Sequence, residues 1–210
     1  MHITVCGATG GTGRHVVRQA LDAGHRVTAI VRNPDGLRGE SHPNLDVVTA
    51  DVMDPDAITD AVAGRDAVVS ALGPRSRGET SVCSDGARAI ITAMRAAGTR
   101  RLVVVTASGH VIDDGDGPFT RVVVKPLLRR YLRHSFADFA RTDEIVRASG
   151  LDWTIMRPPR LTDGRSRAYR TAVDRNVRGG ATISRADLAH AILTALSDPD
   201  TIGHTIGLGY

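Results

Sequence analysis

Three glycines near the start of the chain, Gly7, Gly10 and Gly13, follow the β-branched run HITVC and precede the helical run HVVRQAL. Glycines at this spacing let a strand turn sharply into a helix and let another molecule approach the backbone. The first turn of a helix favours anions, because its N–H groups are unpaired and the helix dipole is positive there. We therefore expect nucleotide phosphates at this turn, although a plain strand–helix turn is the alternative. The expected binding residues are Gly7, Thr9, Gly10, Gly11, Thr12 and Gly13.

Arg32 lies at the end of the second predicted strand, in the segment AIVRNPDG. A carboxylate at this point of a dinucleotide-binding sheet holds the ribose hydroxyl of NAD, whereas an arginine suits the additional 2′-phosphate of NADP. A guanidinium can bind a phosphate through two parallel hydrogen bonds. Arg38 is a candidate to assist. The sequence therefore favours NADP(H) over NAD(H), with an ordinary surface arginine as the alternative.

Short β-branched runs alternate with segments of helical period along the chain, which is typical of a parallel sheet covered by helices on both faces. The predicted fold is a Rossmann-like, doubly wound α/β sheet in a single domain, 1–210. Ala87, Ile90, Ile91 and Met94 repeat with the period of a buried helical stripe. Ser184 and Asp187 have capping-box spacing before a last helix. We expect strands at 3–6, 27–31, 46–49, 67–71, 102–106 and 153–156, a closing strand in HTIGLGY, and helices at 13–23, 56–62 and 119–149, the last broken near 134–136.

The segment RPPRLTDGRSRAYRT follows the sixth predicted strand and contains two prolines and a TDG turn. Prolines and turn residues of this kind predict a loop. In an open α/β sheet a loop at this place can cover a substrate. We therefore expect a small C-terminal substrate or lid region at about 157–183.

The composition of the 210 residues, 41% of them hydrophobic, is typical of one soluble, cytoplasmic domain with no membrane span. Cys6 and Cys83 have no disulfide or metal-ligand spacing, so we expect reduced thiols and no metal. The net charge of +4 comes from scattered arginines and only 3% of residues are aromatic, which disfavours a nucleic-acid partner. We expect a monomer or homodimer.

The densest basic cluster is KPLLRRYLRH, at 125–134. On a helix, Arg129, Arg130 and Arg133 share one side while Leu127, Leu128 and Leu132 can face inward. This favours a solvated or subunit-contacting face over a helix that lies on a membrane or an acidic partner.

The motifs GATGGTG, VRNP, TADVMDPD, SALGPRSRG and GLDWTIMRPPRLTDG occur in this order. Through them the chain resembles the atypical short-chain dehydrogenases/reductases. More narrowly, it is similar to the NAD(P)H-binding group that includes NmrA-like proteins and flavin reductase/biliverdin reductase B. The resemblance covers nearly the whole chain and implies that the adenine, ribose, phosphate and nicotinamide of the cofactor meet residues after successive strands. These residues are Asp51 and Val52 for the adenine, Ala71, Leu72 and Gly73 for the ribose, Arg75 for the phosphates, and Thr106 and Pro158 near the nicotinamide.

Typical short-chain dehydrogenases/reductases use a Tyr-x-x-x-Lys pair, in which the lysine lowers the pKa of the tyrosine so that it can exchange a proton. The only lysine of this chain is Lys125, and the residue four positions before it is Arg121. The pair is therefore absent, which disfavours typical alcohol dehydrogenation.

Flavin reductase/biliverdin reductase B has a serine after the fifth-strand threonine and a histidine after its paired prolines, where this chain has Ala107 and Arg160. Ser108 follows directly and is a candidate proton donor, although a small residue in a turn is as reasonable an interpretation. Arg160 stays protonated, so we expect it to hold an anionic substrate or a developing enolate.

His110 is a second candidate acid, with Asp113 and Asp114 nearby in sequence. The segment ASGHVIDDGDGPF is however typical of a mobile polar loop. Asp138 and Asp143 fall in the long predicted helix, where we expect solvated or capping groups.

Three functions remain open at this point. The first is an NADPH-dependent reductase of a planar conjugated acceptor, such as a flavin, a quinone or a polyketide-like aromatic, because such an acceptor takes a hydride without a protein acid. The second is a non-catalytic NADP(H)-binding sensor or regulator of NmrA-like type. The third is a biosynthetic ketoreductase or epimerase with a donor from 107–116.

Overall fold

A twisted sheet with helices on both faces forms the centre of the protein. The computed structural model describes residues 1–37, 39–74 and 78–210. The strands are β1 (His2–Cys6), β2 (Arg26–Val31), β3 (Leu45–Thr49), β4 (Ala67–Ser70), β5 (Arg101–Val105), β6 (Asp152–Arg157), β7 (Arg160–Thr162), β8 (Arg170–Val173), β9 (Thr182–Ser184) and β10 (His204–Gly209). The α-helices are α1 (Gly11–Asp22), α2 (Pro55–Val62), α3 (Val82–Ala97), α4 (Lys125–Tyr131), α5 (Arg133–Arg147) and α6 (Arg185–Leu196).

The main sheet of the described residues has the strand order β3-β2-β1-β4-β5-β6-β10-β8. All neighbours in it run parallel except β8, which lies antiparallel to β10 at the edge. The chain order reverses at β1, where Cys6 is in register with Ile30 of β2 and Ser70 of β4. Open parallel sheets bind ligands beyond the carboxyl ends of the strands at such a reversal.

Two apolar cores hold the helices onto the sheet. Helices α1 and α6 share the core on one face, and α2, α3 and α5 share the core on the other. Ile58, Ile90 and Met94 are fully buried in the second core. Each such side chain stabilises the fold by about 1.5–3 kcal/mol relative to exposure. The predicted stripe on α3 is confirmed, since all four of its residues are buried.

The doubly wound α/β fold is confirmed, and the six predicted strands and the closing strand each agree with the observed bounds to within one residue. Ser184 caps α6 as predicted, because its hydroxyl accepts a hydrogen bond from the Asp187 N–H at 3.0 Å. The long predicted helix is broken earlier than expected, at Leu132 between α4 and α5. A π-helical turn, Thr120–Val124, precedes α4.

The prediction of a loop after β6 was wrong in part, because 157–183 contains three short strands. Strand β7 pairs with β9, and β8 pairs with β10. Each of these strands has three or four residues and a partner far along the chain. Such short strands lack a local periodic pattern, so the prolines and turn residues dominated the prediction. Residues 163–169 have no regular structure.

The buried side of helix α4 differs from the predicted one. Leu127 is 67% exposed and Leu128 is 37% exposed, whereas Lys125 is 4% exposed. Successive helical residues are about 100° apart, so the burial of Lys125 turns Leu127 to the opposite side. The expectation that Leu127 and Leu128 face inward was therefore wrong, whereas Leu132 is half-buried. None of the helices in the described part of the chain is long and apolar enough to cross a membrane.

Candidate functional site

The turn between β1 and α1 has the backbone geometry that a bound phosphate needs. Gly7 has φ +81°, a conformation that L side chains rarely adopt. A Cβ added to Gly13 would lie 2.1 Å from the Gly7 carbonyl oxygen, so only glycine allows helix and turn to approach this closely. Gly10 is the N-cap of α1 and no side chain caps the helix there. The first N–H groups of α1 are therefore available to an anion.

A cleft of about 840 Å³ extends from this turn along the carboxyl ends of β2, β3 and β4. It brings together many of the residues predicted for the cofactor. Those that line it are Gly7, Thr9, Gly10, Arg32, Asp51, Val52, Ala71, Leu72 and Gly73. Asn33, Gly36, Met53, Thr80 and Val82 also line the cleft and were not predicted. Gly11, Thr12 and Gly13 lie beside the cleft in the first turn of α1, whereas Arg38 and Arg75 fall outside the described residues.

Arg32 is exposed at the mouth of the cleft, directly after β2. Within the described residues, no carboxylate forms an ion pair with it. The short turn after it, Pro34–Leu37, lies against α1 and the glycine turn. The Arg14 guanidinium donates to the Gly36 carbonyl at 2.8 Å, and a Cβ on Gly36 would lie 2.5 Å from the methyl group of Thr9. The turn that follows Arg32 therefore lies close to the glycine turn.

The second end of the predicted site lies beyond β5 and β6, and its residues are not among those that line the cleft. The Thr106 N–H donates to the Met156 carbonyl at 2.9 Å, and the Ser108 N–H donates to the Pro158 carbonyl at 2.8 Å. These two bonds continue the pairing of the strands and bring Thr106, Ser108 and Pro158 together. Arg160 is exposed two residues after Pro158, at the start of β7.

His110 lies in a buried polar cluster and not in an open polar loop. It ends the 3₁₀ turn Ser108–His110 and its side chain is 3% exposed. Its Nε2 donates to Asp143 Oδ2 at 3.0 Å, and the same oxygen accepts a hydrogen bond from Arg157. The two aspartates near His110 in sequence, Asp113 and Asp114, have other partners. Asp113 accepts from the N–H groups of Gly115 and Asn176, and Asp114 pairs with Arg121.

Asp143 is the centre of this cluster. Burial opposes its ionisation, but the hydrogen bond from His110 and the Arg157 guanidinium outweigh burial, and the pKa of Asp143 lies below its usual value. The expectation of a solvated group was therefore wrong. Asp138 is buried as well, but it caps α3, because its carboxylate accepts from the N–H groups of Cys83 and Ser84 at 2.9 and 3.1 Å.

Four buried polar atoms around this end have no hydrogen-bond partner in the described part of the chain. They are Thr106 Oγ1, His110 Nδ1, Asp143 Oδ1 and Arg157 Nε. Buried polar atoms are normally satisfied, so unpaired ones mark a place where a ligand or a water belongs. The cluster can orient a ring nitrogen of His110 and hold a positive charge beside it.

Lys125 lies in a second buried cluster. Its ammonium group donates to Asp116 Oδ2 and to the Val111 carbonyl, and Asn176 Nδ2 donates to the same Asp116 oxygen at 3.3 Å. Side chains of Lys125 and Asp116 are 4% and 5% exposed. This lysine therefore anchors α4 to the segment that follows β5, and Asp116 joins that segment to Asn176, which follows β8.

Both cysteines are free, as expected from their spacing. Burial raises the pKa of Cys6 and of Cys83 to about 12. Neither thiol ionises near neutral pH, so neither supplies a nucleophile there.

Residues 7–199 match the model of the family described as NAD(P)H-binding. The chain belongs to this NAD(P)H-binding family. Its membership confirms the expected nicotinamide cofactor and agrees with the resemblance to atypical short-chain dehydrogenases/reductases. The glycine turn, with its uncapped helix and its exclusion of a Cβ, fits the phosphates of such a dinucleotide.

Three relatives of this NAD(P)H-binding protein span different shares of its length. The uncharacterised protein YwnB of Bacillus subtilis is 28% identical over 207 residues, 95% of this chain and 94% of the relative. The uncharacterised sugar epimerase YhfK of the same organism is 29% identical over 96% of this chain and 90% of its own. The ceramide reductase of Caulobacter vibrioides is 29% identical over 76% of this chain and 46% of its own.

Solved structures agree on the fold of this NAD(P)H-binding protein. A short-chain dehydrogenase/reductase of Veillonella parvula in complex with NADP superimposes with a TM-score of 0.81 at 19% identity and covers 100% of this chain and 94% of that one. At this identity the likeness concerns the fold alone.

The sequence reasoning missed Asp143 and Arg157 as members of the second end of the predicted site, beyond β5 and β6, which is called the acceptor end below after the role proposed for it. Arg157 is the last residue of β6, so its place before the paired prolines was a usable signal. Asp143 carried no such signal, because an acidic residue in a helix is normally exposed. Its partner His110 is 33 positions away along the chain.

Proposed function

We propose that this protein is an NADPH-dependent reductase that transfers a hydride to a planar conjugated acceptor, such as a flavin, a quinone or a polyketide-like aromatic. The observation that carries the proposal is the position of Lys125, whose ammonium group is occupied by Asp116 and the Val111 carbonyl. No other lysine exists to lower the pKa of a tyrosine. An acceptor whose delocalised ring takes the electrons needs no such acid.

In this proposal bound NADPH supplies the hydride, and the residues of the chain bind and orient. Arg32 binds the 2′-phosphate through its guanidinium, and the first turn of α1 binds the pyrophosphate. Asp51 and Val52 contact the adenine, and the run 71–73 lines the ribose. The other proposed roles concern the acceptor end. Thr106 and Pro158 lie beside the nicotinamide, and Arg160 holds an anionic part of the acceptor. Ser108 and His110 are the candidate proton donors for an acceptor that needs an acid.

A second function, the reduction of a ketone, is favoured by one feature of His110. Its Nε2 is bonded to Asp143, whereas its Nδ1 is buried and unpaired within the described residues. A ring nitrogen in that position can hold a proton for a carbonyl oxygen that becomes an alkoxide. The relative named ceramide reductase, 46% of whose length the match covers, supports a reductase.

The deciding experiment measures NADPH consumption by the purified protein with flavins, quinones and simple ketones. Turnover with flavins or quinones that survives in His110→Ala supports the first function. Turnover with ketones that disappears in this variant supports the second. Cofactor binding without turnover of any acceptor would overturn both and leave the sensor role.

The cofactor choice is tested by Arg32→Ala with NADPH and NADH. Loss of a charge-assisted phosphate contact weakens binding by about tenfold to hundredfold, so the KM for NADPH rises by this factor while that for NADH stays the same. Arg26→Ala is the matched control, because Arg26 lies at the opposite end of β2 and pairs with Asp46 at 3.5 Å. An equal change for both cofactors would refute the role of Arg32.

A further inference from the structure

Arg185 is brought against the glycine turn from the far end of the chain. It is the first residue of α6 and lies across Gly11, where an added Cβ would be 2.7 Å from its Cδ and Nε atoms. Its Nη1 donates to Asp163 Oδ1 at 2.7 Å. Asp163 belongs to the irregular segment 163–169. One arginine therefore connects α6, the first turn of α1 and the segment after β7.

Few acidic groups surround Arg185. Its guanidinium lies close to the positive ends of two helices, α1 and α6. The first turn of α1 contains no acidic residue. Asp187, in the first turn of α6, accepts from the Arg167 N–H and the Tyr210 hydroxyl. Asp163 is the ion-pair partner of Arg185 in the described residues, and its side chain is 82% exposed.

We propose that Arg185 binds the pyrophosphate of the cofactor and that Asp163 holds the guanidinium in place until the nucleotide arrives. Upon binding, the pyrophosphate replaces Asp163 as the partner of the arginine. The pyrophosphate then accepts hydrogen bonds from the first N–H groups of α1 on one side and from the Arg185 guanidinium on the other. This role differs from that of Arg32, which stands at the 2′-phosphate. The inference rests on the nucleotide site of the family and not on the proposed reductase activity, so binding alone tests it.

The first test compares three ligands by isothermal titration calorimetry. NADPH carries the 2′-phosphate and the pyrophosphate, NADH carries only the pyrophosphate, and adenosine 2′-monophosphate carries only the 2′-phosphate. Arg185→Ala should weaken NADPH and NADH by the same factor, about tenfold to hundredfold, and leave adenosine 2′-monophosphate unchanged. Unchanged affinity for NADH would overturn the proposal, and so would an equal loss for adenosine 2′-monophosphate.

A second variant, Asp163→Asn, keeps Arg185 and removes the anion that competes with the pyrophosphate. It should tighten NADH binding by a few-fold in the parent and have no effect in an Arg185→Ala background. Weaker binding in Asp163→Asn would contradict the exchange of partners. Because Asp163 is exposed, the tighter binding expected for Asp163→Asn in the parent does not depend on how well Arg185→Ala folds.

Arg18→Ala is the matched control for charge. Arg18 also lies on α1, but it is paired with Glu40 at 3.0 Å and its side chain is 63% exposed. Its removal lowers the net charge as Arg185→Ala does, and should leave affinity for NADH unchanged. A loss in Arg18→Ala equal to that in Arg185→Ala would mean that overall charge, and not the position of Arg185, binds the nucleotide.

Discussion

The two ends of the proposed site differ in the groups that form them: backbone at one end and buried side chains at the other. The phosphate end consists of backbone: Gly7 and Gly13 approach each other without side chains and the first N–H groups of α1 remain open. The acceptor end contains three buried polar side chains, those of His110, Asp143 and Arg157. The backbone end depends on the absence of side-chain volume, whereas the acceptor end depends on each partner being present. Substitutions should therefore damage the two ends in different ways.

The largest effect is expected at the acceptor end, for Asp143→Ala. This substitution leaves Arg157, which is 6% exposed, without its carboxylate. Removing one member of a buried ion pair destabilises a protein by about 3–5 kcal/mol, because the remaining charge stays buried without compensation. Chemical denaturation measures the change in the free energy of unfolding.

Asp85→Ala is the control for this prediction. Asp85 also lies in a helix and pairs with an arginine, Arg88 at 2.8 Å, but both side chains are at least half exposed. Exposed pairs contribute about 0–1 kcal/mol. Equal losses in Asp143→Ala and Asp85→Ala would mean that the buried cluster does not hold the acceptor end together.

Gly13→Ala tests the backbone end and should have the next largest effect. The added methyl group would overlap the Gly7 carbonyl, so the turn and α1 must separate at a cost of about 3 kcal/mol. The affinity for both NADPH and NADH should also fall, because the pyrophosphate-binding turn is displaced. Gly117→Ala is the matched control, because an added Cβ there meets nothing within 4 Å. A stable Gly13→Ala variant with parental affinity would show that the close approach is dispensable.

Much of the backbone end was predictable from the sequence, because its residues lie within 7–13 and the chemistry of glycine is local. The strands were predictable for the same reason, since each carries its own β-branched run. The acceptor end was not, because His110, Asp143 and Arg157 meet only after β5, α5 and β6 have packed. The contact of Arg185 with Gly11 spans almost the whole chain and has no local pattern either.

The orientation of α4 shows another limit of sequence reasoning. Leucines in a helix normally face the core, and this rule predicted an inward Leu127. The structure instead buries Lys125, because its ammonium group donates hydrogen bonds to Asp116 and to the Val111 carbonyl. A seven-residue helix has too few turns for hydrophobic periodicity to outweigh one such buried pair.

Acid should destabilise the acceptor end, because it protonates Asp143. The pKa of Asp143 in the folded protein lies below the ordinary value of 3.8 despite burial, owing to His110 and Arg157. A lowered pKa gives stability that is present above the unfolded value and is lost as the pH falls through the folded value. Asp143→Asn should therefore show a shallower loss of stability between pH 5 and pH 3, by at most about 1.4 kcal/mol per pH unit. Parallel curves for parent and variant would exclude this contribution.

The smallest effect is expected for Ser184→Ala, which tests whether nucleotide binding depends on the stability of α6 or on the side chain of Arg185. Ser184→Ala removes the hydroxyl that accepts from the Asp187 N–H, which should cost about 1 kcal/mol of stability by thermal or chemical denaturation. The next residue, Arg185, keeps its packing on Gly11 and its bond to Asp163, so affinity for NADH should stay at the parental value. If Ser184→Ala instead lost as much affinity as Arg185→Ala, the order of the first turn of α6, and not the guanidinium, would govern nucleotide binding. The pair of adjacent substitutions thus distinguishes a side chain that stabilises a helix from one that binds a phosphate.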